Sequence, residues 1–317
     1  MSDSSSPDGH APAPGEGEVG ERFEPAGGKI RSVLLLADGR KPPVQEALGE
    51  VSSFLESRGV HVEVHPDVRA LRNGDAEPGG ARADLVVVLG GDGSVLTAAH
   101  AFQAAPVPTI GINFGRVGFL ASLEISAWEA GLVEVLEGRA VVERRMRLEA
   151  RVRRAGEATS EVLCAMNDVV ISRGEAPKMA AIRLSSAGRE VSSYRADGLI
   201  FATPSGSTAY SLAAGGPILD PALRAVVVTP ISAHSLAMRP LVLDPEAALE
   251  AAVIDSPSPV SLDVDGRRVG SLSAGDAVLL GAARDPYPLL TVPSFGPWQR
   301  LRDRLGWAGR LDERASD

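Results

Sequence analysis

The stretch from Asp84 to His100, Asp-Leu-Val-Val-Val-Leu-Gly-Gly-Asp-Gly-Ser-Val-Leu-Thr-Ala-Ala-His, constrains the fold more than any other part of the chain. Its apolar run, Leu85 to Leu89, shows no alternation and ends abruptly in Gly90-Gly91-Asp92-Gly93-Ser94. So short and uniform a run fits a strand buried on both faces, as in a parallel sheet. Behind it Val95, Leu96, Ala99 and Phe102 fall on one face of a helix, with Ser94 as a suitable N-cap. The glycines allow backbone conformations that a Cβ resists, and they let another molecule approach the main chain. A strand, a glycine turn and a helix start make a place where backbone N–H groups point at an anion.

Asp92 stands inside that turn, where a carboxylate repels phosphate. It has two possible uses there. It can hold a divalent cation, directly or through water, or it can take a proton from an attacking hydroxyl. Both belong to phosphoryl transfer to an alcohol, where catalysis is mainly positioning and charge stabilisation. The plain alternative is a tight turn without chemistry, since Asp and Gly favour turns.

The rest of the chain divides by pattern. Residues 1–28 carry almost no large apolar side chains and read as a disordered, mildly acidic tail. Residues 29–145 alternate strands and helices: Val33 to Leu36 as a buried strand, Val44, Leu48, Val51 and Leu55 at helical spacing, Val60, Val62 and Val64 alternating. That order predicts a parallel sheet with ligands beyond the carboxyl ends of its strands. The glycines at 90–93 and the segment 111–118 both follow such strands, which puts them on one crevice. Residues 146–292 hold short strand-like runs separated by turn residues, from Leu148–Val152 to Leu289–Val292, and predict an all-β unit, a sandwich or a closed barrel. In 293–317 the helical spacing of Trp298, Leu301 and Leu305 predicts a helix that returns to the α/β unit.

Composition narrows the function. The formal net charge of −9 argues against a general nucleic-acid binder. A single cysteine, Cys164, excludes an intrachain disulfide and a cysteine metal cluster, and points to a reducing compartment. No apolar stretch approaches the length of a membrane span, and the N-terminus shows no signal-peptide core. A cytoplasmic protein without a membrane partner is expected. The five histidines do not form a metal set, so no direct side-chain metal cluster is expected either.

A second chemical cluster runs from Tyr194 to Pro217. A strand leads into a loop dense in hydroxyls and small residues, Thr203-Pro204-Ser205-Gly206-Ser207-Thr208-Ala209-Tyr210-Ser211-Leu212-Ala213-Ala214-Gly215-Gly216. Small side chains admit a flat ring, and hydroxyls bond ribose or phosphate oxygens. Tyr210 can stack on a base or fill the core. Asp197, between Arg195 and Gly198, can accept both hydroxyls of a ribose. Asn167-Asp168 is another polar pair at a strand edge.

Taken in order, these residues resemble the NAD kinases of the bacterial single-chain type. The resemblance rests on Gly90 to Ser94, Gly111 to Leu120, Asn167-Asp168, Asp197 to Ile200, Thr203 to Pro217, Thr229 to Ser232, His234 to Leu236, Arg239-Pro240, Asp265-Gly266-Arg267 and Leu305-Gly306-Trp307. It covers Lys29 to the C-terminus. The Gly-Gly-Asp-Gly turn alone is shared with lipid kinases and phosphofructokinases, so a lipid or sugar kinase is one rival reading. A non-catalytic nucleotide sensor is the other, and it would expect a damaged Asp92 position.

The resemblance implies an enzyme that uses ATP, alone or beside polyphosphate, to phosphorylate the 2′-hydroxyl of the adenosine ribose of NAD. Asp92 corresponds to the family's acid/base. Asp92, Gly93, Asn167, Asp168, Lys178, Arg195, Asp197, Arg267 and the loop Thr208, Ala209, Tyr210, Ser211, Leu212 and Ala213 correspond to dinucleotide-binding positions. Gly90, Gly91, Gly93, Ser94, Asn113 and Arg116 are expected on the donor phosphates with a divalent cation, magnesium by expectation. The family's fold is an α/β domain plus a β-sandwich, assembled as homodimers or homotetramers, and part of the site can come from a neighbouring subunit. Thr97, Ala233 and Met238 depart from the usual residue types, while Ser94 and Ser205 keep the hydroxyl of a threonine.

Overall fold

Two buried strands organise the first half of the molecule. Leu85–Leu89 is fully inaccessible, and Ser32–Ala37 is inaccessible from Val33 onward. The two pair in parallel, as do Ser32–Ala37 with His61–His65 and Leu85–Leu89 with Thr109–Asn113. The helix Pro42–Glu56 covers one face with Val44, Ala47, Val51 and Leu55, and its prolines sit in the first turn, where no N–H is needed. The helix Trp128–Leu136 joins the same cluster. The helix Asp92–Ala101 covers the opposite face with Val95, Ala98 and Ala99. The computed structural model describes residues 21–25, 27–39, 41–73, 83–115, 118–155, 162–173, 178–234, 238–293 and 297–307.

Two expectations about this sheet need correction. Leu289–Val292 was expected in the all-β unit, but the strand Tyr287–Thr291 pairs in parallel with Thr109–Asn113 and antiparallel with Val141–Arg145. The chain leaves the β unit and inserts between Thr109–Asn113 and Val141–Arg145 in the first sheet; only long-range pairing decides this, because the apolar run reads the same in either place. The N-terminal tail also ends sooner than residue 28. Glu21–Arg22 pairs with Val141–Arg145 and Phe23 is buried, because this one large apolar side chain gives the segment something to bury. Residues 1–20 lie outside the described residues.

The second half is a sandwich rather than a closed barrel. One six-stranded sheet runs Leu241–Leu243, Val226–Ile231, Gly198–Ala202, Asp168–Ser172, Val260–Val264, Arg267–Leu272. The other runs Arg189–Ala196, Ala180–Ser186, Leu249–Asp255, Ala277–Ala282, Leu148–Arg153, Leu163–Ala165. Every pairing within them is antiparallel. Alternate residues, among them Val169, Ile171, Leu199 and Phe201 facing Ile182, Leu184, Val253 and Val278, form the shared core. No helix of the described residues is long and apolar enough to cross a membrane.

The two halves meet along the face covered by Asp92–Ala101. Met166, beside Asn167-Asp168, is buried in the same cluster as Val95, Ala98 and Ala99. Arg147 donates to the carbonyls of Gln103 and Asp285 at 2.9 and 2.8 Å. The helix Pro297–Leu305 returns to the first sheet: Leu301 is buried, and Arg300 donates to Thr291 Oγ1 at 3.1 Å and to both oxygens of Glu143 at 3.2 Å.

Candidate active site

The helix that follows the glycine turn begins at Asp92, three residues earlier than expected. Gly91 is its N-cap, with extended backbone (φ −91°, ψ −171°) and no side-chain cap. Ser94, expected at the cap, falls at the third helical position, because the extended glycine sets the boundary. Asp92 in the first turn lies at the positive end of the helix dipole, a favourable place for a carboxylate. Thr97 donates back to the Gly93 carbonyl at 2.9 Å.

The Asp92 side chain is held by the neighbouring loop. Its Oδ2 accepts the Phe119 N–H at 2.8 Å, and its Oδ1 accepts those of Leu120 and Ala121 at 3.0 and 3.1 Å. Gly118 makes this possible: a Cβ there would overlap Asp92 Oδ1 and stand 2.7 Å from Cγ. An ionised carboxylate has about four lone-pair sites. Three are used, so Oδ2 keeps one for another donor.

Asn113 ends its strand and is buried; its Oδ1 accepts the Gly115 N–H at 3.1 Å, and it is the nearest neighbour of the Gly91 Cβ position. Gly90 is packed against Ser94, whose side chain a Cβ at Gly90 would overlap. Gly93 is exposed with open space around it. Arg116 lies outside the described residues.

The hydroxyl-rich loop is built by internal bonds. Thr203 donates to the Met166 carbonyl at 2.6 Å and accepts the Gly206 N–H at 3.0 Å. Ser207 accepts the Leu219 N–H at 3.0 Å, and Ser211 and Thr229 hydroxyls bond at 2.8 Å. Gly206 lies so close to Asn167 that a Cβ would overlap its carbonyl oxygen. The loop is therefore fastened to Asn167, and Thr208 and Ser205 line one cavity with Phe119 and Leu120. Asp92's own hydrogen-bond partners thus share a wall with the β loop. Thr208 and Ala209 are half-buried, and Ser211 is buried while Leu212 and Ala213 are less so. Tyr210 is 46% exposed, which excludes the core-filling role in this chain alone.

Asn167 and Asp168 are set by the turn Asp265-Gly266. Both turn residues have positive φ (46° and 71°) between the paired Val264 and Arg267, the two-residue hairpin that Asp-Gly favours. The Asp265 carboxylate accepts the N–H groups of Met166, Asn167 and Asp168 at 2.8, 2.7 and 3.0 Å. Asp168 is buried, and burial first, then the charge of Asp265, pushes its carboxyl up to about 7. Arg267, half-buried, opens the strand behind this turn.

Other residues singled out from the sequence lie apart. Asp197 accepts Arg173 Nε at 2.7 Å at the corner between two strands. Arg195 is exposed and lines a different recess with Tyr194, His234 and Met238. Lys178 is exposed just ahead of Ala180–Ser186.

Two groups were not foreseen. One is the Asp265 clamp, of which only the Asp-Gly turn signal was readable. The other is a buried ionic cluster in which Glu143 binds Arg145 and Arg300 and Arg145 donates to Ser205 Oγ at 3.2 Å. Burial pushes Glu143 up, but the charges of Arg145 and Arg300 outweigh it and hold the carboxyl below its usual range. Burial pulls the Arg300 guanidinium down, while the charges of Glu143 and, more weakly, Asp92 hold it up. Among the described residues no group of three His, Cys, Asp or Glu side chains could cage a metal ion.

Comparison with known proteins matches both halves. Residues 34–140 fit the ATP-NAD kinase N-terminal domain and residues 166–292 the ATP-NAD kinase C-terminal domain. The NAD kinase of Desulforamulus reducens is 35% identical over 290 residues, 89% of this chain and 100% of that protein. That of Rhodopirellula baltica is 41% identical over 228 residues, 72% of this chain and 73% of that protein. Among solved structures, yeast NADH kinase complexed with NADH superposes with a TM-score of 0.79 at 28% identity, covering 91% of this chain and 90% of that one. An NAD kinase from Archaeoglobus fulgidus in complex with ATP shares the fold, with a TM-score of 0.66 at 24% identity over 87% of this chain and 97% of that one. Two domain matches in order and full-length relatives place the chain in the NAD kinase family.

Proposed function

We propose that this chain transfers the terminal phosphoryl group of ATP to the 2′-hydroxyl of the adenosine ribose of NAD, giving NADP and ADP. The observation that carries the reading is the Asp92 carboxylate, fixed at a helix start by three backbone N–H groups, two of them from Phe119 and Leu120, which line a cavity with Ser205 and Thr208 of the hydroxyl-rich β loop. In this reading the ribose hydroxyl donates to the remaining lone pair of Asp92 Oδ2. Its oxygen forms the new bond to the terminal phosphorus as the bond to the bridging oxygen of ADP breaks, and the proton passes to Asp92. An ordinary carboxylate, near 4, is a weak base for a sugar hydroxyl. A loose transition state in which the proton leaves late tolerates that.

The uncapped helix start at Gly91 and the open space at Gly93 suit the donor phosphates. Phosphoryl transfer in this family needs a divalent cation, for which we propose magnesium. The described side chains do not cage one. Such an ion would be held mainly through donor phosphate oxygens and water, as magnesium commonly is, and would neutralise charge on the transferred group. Asn167, Asp168 and the loop Thr208 to Ala213 are proposed to hold NAD. Lys178, Arg195 and Asp197 lie apart from the Asp92 loop, which supports a homodimer or homotetramer in which a second copy completes the site, while Arg267, behind the Asp265 turn, is proposed to join Asn167 and Asp168 on NAD.

The test is purified protein with NAD, magnesium and either ATP or polyphosphate, scored for NADP. NADP formed in a magnesium-dependent reaction is expected. Failure with NAD, together with phosphorylation of a lipid or sugar alcohol, overturns the reading.

A further inference from the structure

The helix that begins with Asp92 ends against the β sandwich. His100, in its last turn, places Nε2 2.9 Å from Asp265 Oδ2. The distance is that of an ion pair, without the alignment of a hydrogen bond. The Asp265 side chain is wholly inaccessible and that of His100 is 18% exposed. The same carboxylate accepts three consecutive N–H groups, those of Met166, Asn167 and Asp168. One side chain therefore touches both the helix that carries Asp92 and the turn that carries Asn167 and Asp168.

We propose that His100 is a positioning residue: seated on Asp265, it locks the Asn167-Asp168 turn to the Asp92 helix and so fixes the spacing between bound dinucleotide and catalytic carboxylate. The proposal rests on the NAD kinase reading and deepens it.

Geometry gives the lock its leverage. His100 and Asp92 stand eight residues apart on one helix, about 12 Å along its axis, and a helix transmits orientation over that span as a rigid body. Met166 is packed into the apolar cluster of the same helix. The turn is thus held to the helix at two points, one apolar and one polar. The charges agree. Asp265 and the buried Asp168 are neighbouring carboxylates, and His100 is the basic side chain in contact with Asp265. Without it the turn keeps its three N–H bonds but loses its polar tie to the helix. A misplacement of about 1 Å at a reacting centre costs on the order of 10²-fold in rate, so even a partial loosening is measurable.

Two readouts separate this role from general stabilisation. In His100→Ala, kcat at saturating NAD should fall about tenfold or more, while the KM for ATP stays within about twofold. His100→Arg, which keeps an N–H donor able to reach Asp265, should restore most of kcat. Hydrogen–deuterium exchange on full-length protein should show the amides of 166–168 exchanging about tenfold faster in His100→Ala, with strands remote from the seam unchanged. If His100→Ala unfolds, His100→Leu, which fills the space but cannot bond Asp265, serves in its place with the same expectations. Wild-type kcat and wild-type exchange at 166–168 would overturn the proposal, and so would a lower melting temperature with an unchanged kcat. Absence of NAD phosphorylation in the wild-type protein would instead overturn the functional reading. The exchange comparison still judges the lock in that case.

Discussion

Replacing Gly118 by alanine isolates the geometry of Asp92 without touching its charge. Gly118 has no left-handed backbone angle to protect, so the only change is the added Cβ. That atom would overlap Asp92 Oδ1 and lie 2.7 Å from Cγ and 3.0 Å from Oδ2. Ordinary contact begins near about 3.5 Å. The carboxylate must therefore move by about 1 Å, enough to break at least two of its three N–H bonds. Each bond to a charged group contributes about 1.5–3 kcal/mol. Asp92 is only half-buried, so water recovers part of this and the net loss of stability should be about 1–3 kcal/mol. A shift of about 1 Å at the reacting carboxylate should cost on the order of 10²-fold in turnover.

The assay is NADP formation at saturating NAD and ATP, with urea denaturation run in parallel. Gly49→Ala is the control, because it lies on the exposed side of the helix Pro42–Glu56 and its Cβ would meet nothing within 4 Å; it should stay within about twofold of wild type, as surface substitutions away from such contacts do. Wild-type turnover in Gly118→Ala would refute the reasoning, since catalysis would then not use the carboxylate as it is held here.

Three other perturbations follow from the same structure. Asp168 sits above its unfolded value, pushed to about 7. The folded state therefore binds the extra proton, and stability falls as pH rises through about 4 to 7, by up to about 4 kcal/mol. Asp168→Asn should remove that slope, seen as urea midpoints at pH 5 and pH 8 lying closer together than in wild type, while NAD binding weakens. Glu143 shows the opposite sign: its carboxyl is held low by Arg145 and Arg300, so its contribution is present at neutral pH and lost in acid. Glu143→Gln leaves two buried guanidinium groups without their anion and should cost about 3–5 kcal/mol at pH 7, measured by denaturant unfolding. Gly206→Ala pushes against the Asn167 backbone. It should cost about 1–3 kcal/mol of stability and raise the KM for NAD more than it lowers kcat, in steady-state kinetics.

The order of architecture was legible because burial leaves a mark on sequence. Leu85–Leu89 is apolar throughout because both its faces are covered. Leu148–Arg153 and Ala180–Ser186 in the sandwich alternate because only one face of each meets the core. The strand Tyr287–Thr291 was misplaced because its partners lie far away in the chain and nothing local names them. Asp92 was legible as a carboxylate among glycines. What holds it was not, because the donors are main-chain N–H groups of Phe119, Leu120 and Ala121, which any side chains would supply. The Asp265 turn carried an Asp-Gly hairpin signal, but its clamp on residues 166–168 spans almost a hundred positions. His100 was one histidine of five until the fold set it against Asp265.

The central claim is that the Asp92 carboxylate accepts the proton of the ribose hydroxyl, and Asp92→Asn tests it most directly. The amide keeps the shape but cannot take the proton. Turnover to NADP should fall by about 10²–10⁴-fold with the dissociation constant for NAD changed little. A variant that bound NAD normally and turned over at the wild-type rate would contradict the account.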